Sequence, residues 1–149
     1  MKGVYCIRTI VEGVPDMADD FSTDNMLDMY LYENGQLLEQ LEEIVLENKD
    51  EDSFDENNIN EIFRIMHTIK GSSGVMKYDD IMKTSHKLED IFYFLRENRN
   101  VEEHHMELTE IIFRVLDFIN GEMDKIKDGN DPDGDSSELC LLYTSPSPR

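Results

Sequence analysis

A histidine, a lysine and two glycines lie at helical spacing near the middle of the chain. His67, Lys70, Gly71 and Gly74 follow one another at i, i+3, i+4 and i+7, and this spacing places side chains on one face of a helix. Glycine costs a helix about 1 kcal/mol relative to alanine, so two glycines beside an imidazole indicate that another molecule approaches closely. A face of small residues beside the histidine would let either the backbone of a partner protein or a phosphoryl donor approach the ring.

A second segment, Ser85-His86-Lys87-Leu88-Glu89-Asp90, places a histidine three residues before a glutamate. The two segments together resemble the motifs of histidine phosphotransfer (HPt) domains. In that family a His-x-x-Lys-Gly core is followed by small residues, and a Thr-His-x-x-Glu segment lies on the next helix. The chain is most similar to the amino-terminal phosphotransfer domain of CheA-type chemotaxis histidine kinases, and the resemblance covers about residues 20–128.

The resemblance implies a role for four side chains. His67 would be the phosphoacceptor, and Glu89 would accept a hydrogen bond from one of its ring nitrogens, as a carboxylate orients an imidazole in a catalytic triad. Lys70 would contact the phosphoryl oxygens, and His86 would join the hydrogen-bond network. Which ring nitrogen carries the phosphoryl group stays open at this point.

The resemblance also implies partners. Gly71 and Gly74 would leave room for a docking protein, and Arg64 would contact it. The partners implied are the ATP-binding domain of a histidine kinase and response regulators of the CheY and CheB type, in the cytoplasm at receptor arrays. ATP and Mg²⁺ would be used by that kinase domain, which this chain lacks. The chain would therefore not be a kinase by itself, although its parent protein would be a histidine protein kinase.

The net charge of the chain is −20. Nucleic acid is disfavoured as a partner because its dense negative charge attracts lysine and arginine and repels an acidic protein. An anionic membrane surface is disfavoured for the same reason. No run of about 18 apolar residues is present, so the sequence predicts no membrane insertion. Cys6 and Cys140 lie at opposite ends in no metal-ligand or redox spacing, which fits a reducing cytoplasm.

One stretch of the chain is basic. Residues 64–87 carry five lysines and arginines against two aspartates, a net charge of +3, and both motifs lie there or at its edge. Local cations of this kind can steady a phosphoryl group while the acidic remainder of the surface repels other anions.

The apolar pattern predicts an all-α fold of the HPt type, an antiparallel up-down four-helix bundle. Ser22 or Thr23 is expected to cap the first helix, and Asn58 with Glu61 resembles a capping box for the second. The adjacent histidines 104 and 105 are expected to be exposed. The four helices are predicted at about residues 24–48, 58–77, 78–98 and 107–128.

The two ends of the chain differ from its centre. Residues 1–19 are interpreted as an extension whose first 16 residues need not be native, since Met17 is a more natural start. The HPt domain follows over residues 20–128, then a linker over 129–139, and the fifth helix of the family would be truncated. Residues 140–149 correspond to an out-of-frame translation of a common sequencing adapter, a hypothesis that re-sequencing would exclude if those codons were contiguous in the genome.

Parts of the sequence are also compatible with other functions. The chain could be the HPt module of a hybrid sensor-kinase phosphorelay, or a structural or protein-binding helical bundle whose histidine is never modified. No glycine-rich nucleotide loop supports self-contained catalysis. A zinc site formed by His67, His86 and Glu89 would lack thiolates and has no further support, so no metal and no cofactor is predicted for this chain.

Overall fold

The fold is known from a computed structural model, which describes the backbone of residues 15–98 and 104–139 and the side chains of residues 25–98 and 104–139. All regular structure in these ranges is helical, so the predicted all-α class is confirmed. Residues 1–14 and the proposed adapter translation at 140–149 lie outside the described residues. The main helices are α1 (Pro15–Asn48), α2 (Glu56–Val75), α3 (Asp79–Glu97) and α4 (His105–Lys127).

The chain divides into two compact units, residues 1–33 and residues 34–149. Every contact described below lies within the second unit, which contains residues 34–48 of α1 and the whole of α2, α3 and α4. In the described part of the chain, no helix is both long enough and apolar enough to cross a membrane.

Helix α1 begins earlier than predicted. It starts at Pro15 rather than near Asp24, and proline is favoured at a first helical position because its φ angle is already helical and its missing N–H has no partner there. The predicted caps Ser22 and Thr23 therefore lie inside the helix, and their assignment as caps was wrong.

Helix α2 also begins earlier than predicted, because its cap is a different residue. The carboxylate of Asp55 accepts a hydrogen bond from the backbone N–H of Asn58 at 2.7 Å, which satisfies one of the free donors of the first turn. The helix therefore starts at Glu56. The predicted capping box of Asn58 and Glu61 was wrong, since both residues already lie within the helix.

The apolar stripes of the helices meet in one core in the second unit, largely as predicted. Burial of each such side chain contributes about 1.5–3 kcal/mol of hydrophobic free energy. Phe54, in the connection between α1 and α2, adds an unpredicted ring that packs edge-on against Phe92 at 5.9 Å. The buried apolar side chains include Leu38, Leu41, Val45, Ile59, Ile62, Ile65, Met66, Ile69, Ile81, Leu88, Phe92, Ile112, Val115, Ile119 and Met123.

His105 contradicts the prediction that both adjacent histidines are exposed. His104 is exposed, but His105 is the first residue of α4 and is buried. Its Nε2 donates a hydrogen bond to the carbonyl oxygen of Asn48 at 2.7 Å, and its ring centroid lies 4.5 Å from that of Phe54. The ring thus satisfies a carbonyl at the end of α1, a contact between distant residues that adjacent spacing does not reveal.

The segment after α4, predicted as a linker, contacts α3 and α4. The backbone N–H of Gly134 donates to the buried carboxylate of Glu122 at 2.9 Å. Both the N–H and the hydroxyl of Ser136 donate to Asp80 on α3, at 3.2 and 2.8 Å. Residues 129–136 are therefore fixed to the helices, and residues 137–139 are helical.

The turn between α2 and α3 sets how these two helices pair. The N–H of Lys77 donates to Gly74 O at 3.1 Å and the N–H of Tyr78 donates to Ser73 O at 2.9 Å, the pair of bonds that defines a Schellman motif. Lys77 holds the left-handed position with φ of 64°. This tight turn makes α3 run back antiparallel along α2 and fixes which residues of the two helices face each other.

Substituting Lys77 by glycine is expected to stabilise the protein by about 0.5–1 kcal/mol, because glycine adopts positive φ without the steric cost that a side chain meets. Urea unfolding followed by circular dichroism would measure the change. Lys77→Ala is the matched control, since it removes the same charge but keeps a Cβ in the left-handed conformation. A glycine variant no more stable than the alanine variant would contradict the expectation.

Candidate functional site

Two short stripes of side chains face each other across the contact between α2 and α3. Phe63, His67 and Lys70 lie on α2 at i, i+4 and i+7, and Glu89, Tyr93 and Arg96 repeat the same spacing on α3. Spacing of this kind keeps side chains on one face of a helix. The antiparallel register set by the turn brings the two stripes together.

His67 is held through one of its two ring nitrogens. Its Nδ1 lies 2.7 Å from Glu89 Oε2. Because an ionised carboxylate can only accept a hydrogen bond, Nδ1 must carry the proton, and in the neutral ring the lone pair is then on Nε2. No described residue bonds to Nε2, and the histidine side chain is 61% exposed. The geometry therefore presents Nε2 to solvent as a nucleophile.

Glu89 joins the histidine to a cation. Its other oxygen, Oε1, lies 2.8 Å from the Nζ of Lys70, and its side chain is only 9% exposed. Burial raises the pKa of the Glu89 carboxyl, but hydrogen bonds from Lys70 and His67, with the charge of Lys70, outweigh burial and lower the pKa below its ordinary value of 4.5. Glu89 is therefore ionised at neutral pH and can orient both neighbours.

The fourth predicted catalytic residue, His86, is not part of this group. Its Nε2 lies 3.5 Å from Asp90 Oδ1, and the side chain is 56% exposed. No hydrogen bond or ion pair between described residues joins it to His67, Lys70 or Glu89. The sequence segment therefore supplies the site with its glutamate and not with its histidine.

The three predicted docking residues lie in different surroundings. Arg64 is exposed and pairs with Glu61 at 3.2 Å on its own helix. A Cβ added at Gly74 would lie 3.3 Å from the sulfur of Met82, so packing of α2 against α3 accounts for that glycine. A Cβ added at Gly71 would meet nothing within 4 Å. Packing inside the described protein does not require a glycine at position 71.

A buried polar pair beside the site was not predicted. The amide of Asn34 is buried, and its Nδ2 donates to the hydroxyl of Ser72 at 3.0 Å. This bond ties α1 to α2 one residue beyond Gly71. A signal was present in the sequence, because Asn34 stands at i−4 and i−7 from the core residues Leu38 and Leu41, where an apolar residue is expected.

An aromatic and cationic cluster next to His67 was not predicted either. The rings of Phe63 and His67 are nearly parallel, with an interplanar angle of 15° and centroids 6.1 Å apart. The guanidinium carbon of Arg96 lies 4.3 Å from the centroid of Phe63 and 5.4 Å from that of Tyr93. Phe63 lies half-buried at the edge of the core.

Metal chemistry has no support in the parts of the chain that the structure describes. They contain no group of three or more histidine, cysteine, aspartate or glutamate side chains that could hold an ion. A zinc site formed by His67, His86 and Glu89 would require the two histidine rings to lie together. In the structure the two rings lie in separate surroundings.

The described structure combines a helical fold with an exposed histidine that a carboxylate orients, and comparison with known families assigns the chain to a class. The model of the Hpt domain family matches residues 25–128. The chain therefore belongs to the Hpt domain family, the histidine phosphotransfer domains of two-component signalling.

Three relatives of this chain share one name. It is similar to Chemotaxis protein CheA of Bacillus subtilis, with 32% identity over 117 residues, 76% of this chain and 16% of the relative. Chemotaxis protein CheA of Listeria monocytogenes is 29% identical over 116 residues, 78% of this chain and 18% of the relative. That of Salmonella typhimurium is 27% identical over 126 residues, 84% of this chain and 17% of the relative. The chain spans less than a fifth of the length of these relatives.

Glu89→Gln is expected to lower the stability of the protein at neutral pH and to lose that effect in acid. A carboxyl whose pKa is lowered on folding stabilises the native state above its unfolded pKa, and this contribution is lost as the pH falls through the lowered native value. The difference in unfolding free energy between wild type and variant should therefore be largest above pH 4.5 and shrink as the pH falls through the lowered native pKa.

Urea unfolding at a series of pH values measures this difference. Glu110→Gln is the matched control, because Glu110 is an exposed carboxylate paired with Arg114 on α4, and exposed pairs contribute little. A Glu89→Gln difference that does not change with pH would show that the carboxylate acts by shape alone.

Proposed function

We propose that His67 accepts a phosphoryl group from the ATP-binding domain of a histidine kinase and passes it to an aspartate of a response regulator. The observation that carries this proposal is the bond between His67 Nδ1 and Glu89, which leaves Nε2 exposed. Membership of the Hpt domain family supports it.

The chemistry follows from the tautomer. The Nε2 lone pair attacks the γ-phosphorus of ATP held by the partner domain, an N–P bond forms, and the bond to the bridging oxygen breaks with departure of ADP. The ring keeps its proton on Nδ1 and becomes cationic, and the Glu89 carboxylate stabilises that charge. In the return step an aspartate oxygen attacks the phosphorus, the N–P bond breaks, and the neutral ring leaves.

Lys70 supplies the remaining charge. Its Nζ already contacts Glu89 Oε1 at 2.8 Å, and its side chain is 28% exposed. Lys70 can therefore reach an oxygen of a phosphoryl group carried by the His67 ring. Phosphoryl transfer depends mainly on positioning and charge neutralisation. A lysine anchored one turn from the nucleophile provides both without further movement of the chain.

We propose further that the domain serves a CheA-type chemotaxis kinase. The relatives named above are chemotaxis proteins, and the alignment with each covers about three quarters or more of the present chain. On this proposal the regulators are of the CheY and CheB type, and the protein works in the cytoplasm at receptor arrays. The ATP and Mg²⁺ belong to the kinase domain that acts on His67.

The direct test is transfer of label from ATP. The chain is mixed with a separately produced ATP-binding fragment of a chemotaxis kinase and γ-labelled ATP, with His67→Gln as the control. We expect acid-labile, alkali-stable label on the wild type and none on the variant, followed by discharge onto an added CheY-type regulator. Label retained by His67→Gln, or a folded wild type that no chemotaxis or hybrid-kinase fragment labels, would contradict the proposal.

Gly71→Ala separates docking from folding. Alanine in a helix is about 1 kcal/mol more favourable than glycine, and a methyl group here meets no other atom of the described protein. We expect the variant to be as stable as the wild type or more so, yet to accept label more slowly, because the methyl group stands where a partner approaches the histidine. Unchanged transfer kinetics would show that nothing docks closely against this face.

A further inference from the structure

The hydrogen bond to Glu89 does not by itself fix the ring of His67. It holds one ring atom, Nδ1, at 2.7 Å, and the Cβ–Cγ bond holds the neighbouring ring atom. Small coupled rotations about χ1 and χ2 can still tilt the ring plane, because a hydrogen bond tolerates a range of lengths and angles. The side chain is 61% exposed, so the core does not restrain it. In-line attack by Nε2 requires the ring plane to be held as well, since misplacement of a reacting atom by about 1 Å can slow a reaction by about 100-fold.

Phe63 supplies a second restraint. It lies one turn before His67 on α2, and the two rings are within 15° of parallel. A flat hydrophobic surface alongside the imidazole disfavours ring orientations that would cut into it. Phe63 itself is only half-buried, so side chains outside the core also contact its ring.

Arg96 holds Phe63 in place from α3. Its guanidinium carbon lies 4.3 Å from the Phe63 centroid and 5.4 Å from that of Tyr93, within the range of a cation–π interaction. The neighbouring Glu97 carboxylate lies 3.6 Å from its Nε. Arg96 and Glu89 are two helical turns apart on the same face of α3. Helix α3 therefore contacts the imidazole directly through the Glu89 carboxylate and indirectly through Arg96 and the Phe63 ring.

We propose that Arg96 is a positioning residue for phosphoryl transfer, acting through Phe63 to hold the plane of the His67 ring. This inference rests on the proposed function of His67. Arg96 contacts no reacting atom, so its removal should lower the maximal rate without changing the affinity for the kinase fragment.

The test compares Arg96→Leu with wild type in the labelling reaction. We expect kcat to fall by about two- to fivefold, the range that an exposed cation–π contact allows, while KM for the kinase fragment stays the same. Arg96→Lys keeps a cation over the ring and should restore most of the rate. Arg114→Leu is the matched control, because Arg114 is an exposed arginine paired with a glutamate on α4, and it should react like wild type.

A second measurement does not depend on transfer. Nitrogen–proton NMR correlations of the unphosphorylated His67 ring should show a single Nδ1–H tautomer in wild type, and mixed or broadened ring signals in both Arg96→Leu and Phe63→Leu. The amide spectrum verifies that each variant is folded.

Two outcomes would overturn the inference. One is a rise in KM with unchanged kcat, which would make Arg96 a docking residue. The other is a His67 ring signal that neither variant alters. A wild-type chain that accepts no label at all would contradict the proposed function instead, and the ring signals would still decide whether Arg96 orders the imidazole.

Discussion

The register of α2 against α3 is the constraint on which the site depends. The Schellman turn at residues 76–78 reverses the chain with only three residues between the helices. From that turn outward, Gly74 meets Met82, His67 meets Glu89 and Phe63 meets Tyr93. A shift of one residue along either helix would turn the facing side chain by about 100° about the helix axis. The histidine and its carboxylate would then no longer meet. The close packing that Gly74 allows and the turn geometry of Lys77 thus help to bring His67 and Glu89 together, although neither residue touches the histidine.

The electrostatics of the site are the reverse of those of the whole molecule. The chain carries a net charge of −20, yet the histidine stands beside Lys70 and in the one basic stretch of the sequence. Glu89 is nearly buried and remains ionised, because its two neighbours offset the cost of burial. In the proposed reaction, a carboxylate fixed in this way would stabilise the positive charge on the phosphorylated ring without movement of the protein.

Much of this arrangement is predictable from the sequence. Helical periodicity gave the four helices and their stripes, and the resemblance of two short segments to HPt motifs pointed to His67, Lys70 and Glu89, which the structure brings together. The helix starts at Pro15 and Glu56 were missed because several polar residues could act as caps, and only the fold decides which one does.

The remaining differences concern contacts between residues far apart in the chain. His105 is buried because Phe54 and the end of α1 happen to meet it, and the Arg96–Phe63 pair joins residues 33 positions apart. Periodicity assigns a residue to a helix face but does not say which residue of another helix it meets. His86 illustrates the converse, since a residue matched by motif turns out to face Asp90 and solvent.

The central claim is that Glu89 occupies Nδ1 and so directs phosphorylation to Nε2 of His67. Long-range nitrogen–proton NMR of the phosphorylated chain, with coupling to phosphorus, measures directly which ring nitrogen carries the group. Phosphorus coupling to Nε2, with the proton retained on Nδ1, is the predicted result. Coupling to Nδ1 would contradict the account, because the phosphoryl group would then stand where the structure places the Glu89 hydrogen bond.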